Sequence, residues 1–187
     1  MTLMRSCGTN AKDNQMLSRP WAIASTLLLA TLLAACASQP PHDDAITFVL
    51  VRHAEKADDG SKDPPLTSAG EARAQTLAAG LGEAPLRAVY ATAYKRTQAT
   101  AAPSAGAHSL PVTTYDAKLP ARDFAAQLRR EYHDGTVLVV GHSNTVPGIA
   151  AALCQCSVLP IGDAEYDRRI TIHVDAQGRA AMQVDRY

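Results

Sequence analysis

Two short runs constrain this chain more than anything else in it. Thr47-Phe48-Val49-Leu50-Val51 and Thr136-Val137-Leu138-Val139-Val140 are apolar or β-branched throughout, with no alternation of polar residues. A strand with one wet face alternates. One that does not is buried on both faces, as in parallel sheets covered by helices on each side. The first run stops on Arg52-His53 and the second on Gly141-His142. Open α/β sheets bind ligands in the crevice beyond the carboxyl ends of their strands. Two strands ending on histidine therefore bring two imidazoles to one edge.

The intervening segments fit helices on such a sheet. Ala57–Leu66, with its glycine and Pro-Pro pair, reads as an exposed loop. Thr67 can cap the next helix, Glu71 suits its first turn, and Ala74, Leu77, Ala78 and Leu81 give it one apolar face. Gly80 and Gly82 close it. Leu86–Thr92 reads as a strand, followed by a helix from Tyr94 to Ala102, carrying Lys95 and Arg96 and stopped by Pro103. Leu110–Tyr115 reads as an edge strand because of Pro111, and Asp116 follows it directly. Ala121, Phe124, Ala125 and Leu128 mark another amphipathic helix. Ser143 or Asn144 can cap a helix that tolerates Pro147, and Arg168–Val174 pairs with Ala181–Val184 as a hairpin around Gln177-Gly178. The expectation is an α/β three-layer sandwich with a mainly parallel central sheet. The Arg168-Arg169 pair reads as a solvated face.

The first 35 residues read as a signal peptide. Arg19 precedes about fifteen mostly apolar residues, Trp21 to Ala35, short of the roughly 20 that span a membrane. Leu33-Ala34-Ala35-Cys36 resembles the bacterial lipoprotein signal, in which the cysteine is lipidated after cleavage. Translation from Met16 would give a signal of ordinary length. Residues 36–45 then form a tether and 46–187 the folded domain. Ala37 after the cysteine matches the outer-membrane pattern, so the expected address is the periplasmic face of the envelope. Zero formal charge and 5% aromatic residues give no sign of nucleic-acid binding. Cys154 and Cys156 are the remaining cysteines. Positions two apart bridge poorly in an extended chain, which leaves them free or locally paired.

The chemistry gathers on Arg52, His53, Arg96 and His142. Guanidiniums give bidentate, permanently charged contacts to phosphate oxygens, and a neutral imidazole is a nucleophile. Nearby guanidiniums at ~4 Å oppose a second positive charge by about 1–4 kcal/mol, which keeps His53 neutral near pH 7. A single histidine at a strand end is more often structural. Two beside two arginines suit a phosphoryl group. A zinc site at His53-Ala54-Glu55 would lack its third and fourth ligands.

VRHAEK at 51–56, PLTSAG at 65–70, ATAYKRTQATA at 91–101 and VVGHSNTVP at 139–147 resemble, in order, the motifs of the histidine phosphatase superfamily, which shares its fold with cofactor-dependent phosphoglycerate mutase. The likeness is to the short single-domain branch. It implies that His53 becomes a phosphohistidine, that Arg52, Arg96 and His142 hold the phosphoryl oxygens, and that neither metal nor cofactor is needed. The mutase branch has a general acid after the strand that follows the arginine helix. Asp116 matches that place, with Asp123 and Glu55 as further candidates. Glu55 could instead face solvent or pair with Lys56 or Arg52. The family's Arg-His-Gly is Arg-His-Ala here. The expected activity is metal-independent hydrolysis of a phosphorylated small molecule by an envelope-anchored enzyme. The alternatives are a phosphohistidine-protein phosphatase and a non-catalytic anion-binding lipoprotein. Asp58, Asp59 and Asp63 nearly cancel Lys56, Lys62 and Lys95 around the site, so charge alone names no substrate.

Overall fold

In the computed structural model, which describes residues 45–187, strands and helices alternate before a closing hairpin. The order is β1 (Ile46–Arg52), α1 (Ser68–Leu81), β2 (Leu86–Ala91), α2 (Lys95–Ala107), β3 (Val112–Thr114), α3 (Ala121–Glu131), β4 (Gly135–Gly141), α4 (Val146–Cys154), β5 (Arg168–Val174) and β6 (Ala180–Arg186). The signal segment, Cys36 and the tether as far as Asp44 lie outside the described residues. The sheet runs β3-β2-β4-β1-β5-β6. Its first four strands are parallel, and β5 and β6 add on antiparallel.

The unbroken apolar runs are explained by the two cores. Phe48 and Leu50 of β1, with Val137 and Val139 of β4, point into one cluster with Phe124 and Leu128 of α3 and Ile149 and Leu153 of α4. Val49, Val51, Leu138 and Val140 point the other way, onto Leu77 and Leu81 of α1 and Ala101 and Ala105 of α2. These are the three expected layers, with β1 and β4 at their centre.

Local chemistry sets the helix ends. Thr67 caps α1 by accepting the Gly70 N–H at 3.1 Å. Gly70 is required because a Cβ there would sit 2.3 Å from the Glu55 carbonyl oxygen. Pro103 does not end α2, which runs on to Ala107. The carbonyl that proline leaves unpaired belongs to Ala99, an exposed residue, while Ser104 and Ala105 beyond it are buried. Thr145, rather than Ser143 or Asn144, stands at the start of α4. Its hydroxyl accepts the His142 N–H at 2.9 Å, and Pro147 removes one donor of the first turn. β3 is only three residues long.

Cys154 and Cys156 form a disulfide. The extended geometry assumed from their spacing does not apply. Gln155 adopts a left-handed conformation (φ 53°, ψ 39°) that reverses the chain after α4. The two Cα atoms come within 5.1 Å, against roughly 6.6 Å in a strand.

Candidate active site

The register of β1 on β4 creates the site. Arg52 pairs with Gly141 in the parallel ladder, and the His53 N–H continues it to the Gly141 carbonyl at 2.9 Å. His53 and His142 therefore leave adjacent strands at the same level, with ring centroids 5.5 Å apart. β2 lies on the other side of β4, Ala91 beside Val140. The next residue, Thr92, puts its hydroxyl 2.9 Å from His142 Nε2.

His53 Nδ1 lies 2.8 Å from the Ala54 carbonyl. A carbonyl only accepts, so Nδ1 carries the hydrogen, and Nε2 keeps its lone pair with no partner among the described residues. The ring is 3% exposed and its pKa is lowered to about 4. Burial is the largest cause, followed among the lowering causes by the charges of Arg52, Arg96 and His142. The guanidiniums expected to keep the imidazole neutral act second to desolvation. His142 is likewise lowered to about 4, by burial first and then by Arg96 and Arg52. Ala54 is accommodated without strain. Its methyl packs with Leu66 and Ala74, and its N–H goes to Thr100 Oγ at 2.9 Å.

A cleft of about 410 Å³ opens over this pair, lined by Arg52, His53, Arg96 and His142 with Lys56, Tyr94, Lys118, Ser143 and Asn144 among others. Arg52 is held by the loop between α4 and β5. Its Nη1 donates to the carbonyls of Gly162, Asp163 and Glu165, and its guanidinium stacks 4.3 Å from the Tyr166 ring. Arg96 stacks at 4.4 Å on Tyr94. It opens a helix, where a cation meets the unfavourable end of the dipole. Asp63 offsets this by accepting the Lys95 N–H at 3.0 Å, with Arg96 Nη1 3.5 Å away. Arg52 Nε, Arg96 Nε and Arg96 Nη1 are buried without a hydrogen-bond acceptor among the described residues.

The carboxylates lie elsewhere. Glu55, half-buried, pairs with neither Arg52 nor Lys56. Arg73 of α1 clasps it through Nε and Nη2, at 2.7–2.9 Å, and holds its carboxyl below the usual carboxylate range. Asp123 is exposed on α3 beside Arg122. Asp116 is exposed, accepts the Lys118 N–H at 2.9 Å, and lines a neighbouring cavity that shares Tyr94, Ala117 and Lys118 with the cleft. Among the described residues, no carboxylate lines the cleft, and no three His, Cys, Asp or Glu side chains converge as a metal-ligand set.

Several participants were not read from the sequence. Thr97 and Thr100 sit three apart on the buried face of α2 and serve Thr92 and Ala54, a spacing that could have flagged them. Tyr166 and the 162–165 carbonyls could not have been found, since only tertiary structure brings that loop to Arg52. Arg168 is not a solvated side chain either. It ties Glu165 and the carbonyls of Leu159 and Pro160, fastening the same loop.

Comparison with known proteins agrees with this geometry. The family described as histidine phosphatase superfamily (branch 1) matches residues 48–124. A proposed phosphohistidine phosphatase SixA from Nakamurella multipartitia superposes with a TM-score of 0.58 at 26% identity, covering 75% of this chain and 95% of its own. The protein histidine phosphatase SixA complexed with tungstate gives 0.58 at 20% identity, over 73% and 94%. A mycobacterial glucosyl-3-phosphoglycerate phosphatase gives 0.58 at 17%, over 76% and 98%. No curated protein sequence matches the chain. Fold and site together define a phosphatase built around paired histidines at the carboxyl edge of a covered sheet. The family to which the matched residues and the superposed structures are similar is the histidine phosphatase superfamily.

Proposed function

We propose that this phosphatase hydrolyses phosphomonoesters by passing the phosphoryl group through His53, without a metal, from a lipid anchor at Cys36. The observation that carries the reading is the set of buried, unpaired N–H groups on Arg52 and Arg96, two residues lining the cleft beside an unprotonated imidazole. Buried donors without acceptors are costly, and a phosphoryl dianion supplies acceptors for them. The Nε2 lone pair of His53 forms the P–N bond as the P–O ester bond breaks, and the oxygen leaves as the alcohol with a proton from Asp116, which the attacking water later restores. The positive charge gained by the ring is eased by Nδ1–H on the Ala54 carbonyl. Water then attacks phosphorus, the P–N bond breaks, and phosphate departs with His53 neutral again. Arg52, Arg96 and His142 hold the oxygens whose charge grows in both steps.

The test is turnover of p-nitrophenyl phosphate by the purified protein in EDTA. His53→Ala should lower it by at least ~10³-fold. Phosphate binding with no turnover in the unmutated protein would leave only the anion-binding lipoprotein. The anchor is tested separately by labelled palmitate, which Cys36→Ser should no longer incorporate.

A second reading has its own support. A cleft lined by no carboxylate favours a leaving group that departs without a carboxylic acid, as the nitrogen of a phosphohistidine can. The 26% identical neighbour is described as such a phosphatase. Asp116→Asn separates the two. Under the ester reading with Asp116 as acid, the variant slows alkyl esters far more than p-nitrophenyl phosphate. If it slows neither, and a phosphohistidine peptide is the better substrate, the second reading holds.

A further inference from the structure

We infer that the substrate carries a second anionic group on its leaving-group side, held by Lys56 and Lys118 on opposite walls of the cleft. This rests on the phosphatase reading and specifies which phosphorylated compounds fit. Of the six charged side chains weighed around the site on sequence alone, Asp58, Asp59, Asp63, Lys56, Lys62 and Lys95, the structure brings only Lys56 to the cleft wall, and it adds Lys118. Asp63 is spent on the start of α2, and Asp59 accepts the Ser61 N–H at 2.9 Å. The apparent cancellation of charge therefore fails inside the cleft, whose charged lining is wholly cationic.

A phosphoryl group engages the inner pair, Arg52 and Arg96. The outer pair remains. No ion pair among the described residues includes a lysine; all use arginine. Both lysines stand on anchored backbone: Lys56 at an antiparallel bridge with Leu66, and Lys118 through its N–H on Asp116. Lys56 follows β1 and Lys118 follows β3, with β4 and β2 between them. Three strand spacings, roughly 14 Å, separate the strands they follow. Whatever bears the phosphoryl group must leave between them. A carboxylate or second phosphate there meets two unpaired ammonium groups, and a neutral alcohol meets none.

The experiment compares kcat/KM for phenyl phosphate and 4-carboxyphenyl phosphate in the wild type, Lys56→Gln, Lys118→Gln and the double variant. Comparing the ratio of the two esters between proteins cancels their intrinsic difference in reactivity. The carboxylated ester should be preferred by about tenfold in the wild type, and each single variant should cut that ratio by about fivefold. Raising the salt from ~0.05 to ~0.5 M should shrink the ratio most in the wild type, less in each single variant and not in the double variant. Hydrolysis of both esters with no preference, or a preference that survives in the double variant, overturns the inference and leaves the phosphatase reading standing. Hydrolysis of neither ester overturns both.

Discussion

For the proposed nucleophile, the informative number is a pKa of about 4, set mainly by burial. An attacking imidazole must be unprotonated. The acid limb of kcat/KM, corrected for ionisation of the substrate, should therefore fall near pH 4 and not near the ordinary histidine value of about 6.5. The same shift bears on stability. The unfolded chain protonates His53 and His142 below about pH 6.5, whereas the folded protein resists until about pH 4. Between those limits the unfolded state binds more protons, so stability drops as the pH falls, by roughly 3 kcal/mol per histidine at the lower end. Urea melts at pH 7, 5.5 and 4.5 should show it, and His142→Gln should flatten the slope. Arg52→Lys tests the other partner. One ammonium cannot meet three loop carbonyls and still present N–H groups to phosphate, so kcat/KM should fall by about 10²–10³. His53, Arg52, Arg96 and His142 were legible because each belongs to a short local motif. Thr92, Tyr166 and Lys118 were not, because strand order and a folded-back loop deliver them.

Among the elements, α1 shows how closely a helix can be tied to the site. Gly70 touches the Glu55 backbone, and Arg73, one turn later, clasps the Glu55 carboxylate and the Tyr187 carbonyl. Gly70→Ala should cost about 1–3 kcal/mol, measurable as a lower urea midpoint, because backbone and not a flexible side chain blocks the added methyl. Element types and most boundaries could be read from periodicity. The readings that failed did so where a local rule met a tertiary exception. Pro103 was overruled by packing on both sides of it. The start of α4 went to Thr145, whose hydroxyl serves the backbone of His142. The cysteine pair, open on sequence between free and locally paired, closes as a bridge because Gln155 turns left-handed.

At the scale of the molecule, the central placement of β1 and β4 could be foreseen, since only strands covered on both faces read as unbroken apolar runs. The antiparallel closure by β5 and β6 leaves one sheet edge to a hairpin with little part in the cleft. The site as a whole should respond to oxyanions. Orthovanadate at about 100 times its Kd should stabilise the protein by about 2.7 kcal/mol, and Arg96→Ala should abolish most of the rise in Tm.

The grip of the 162–165 carbonyls on Arg52 means that the enzyme's competence hangs on the integrity of one surface segment. Leu159, 77% exposed, offers a protease a foothold there. A single cut near it, leaving every strand of the sheet paired, should extinguish turnover in step with the appearance of the nicked band on a gel.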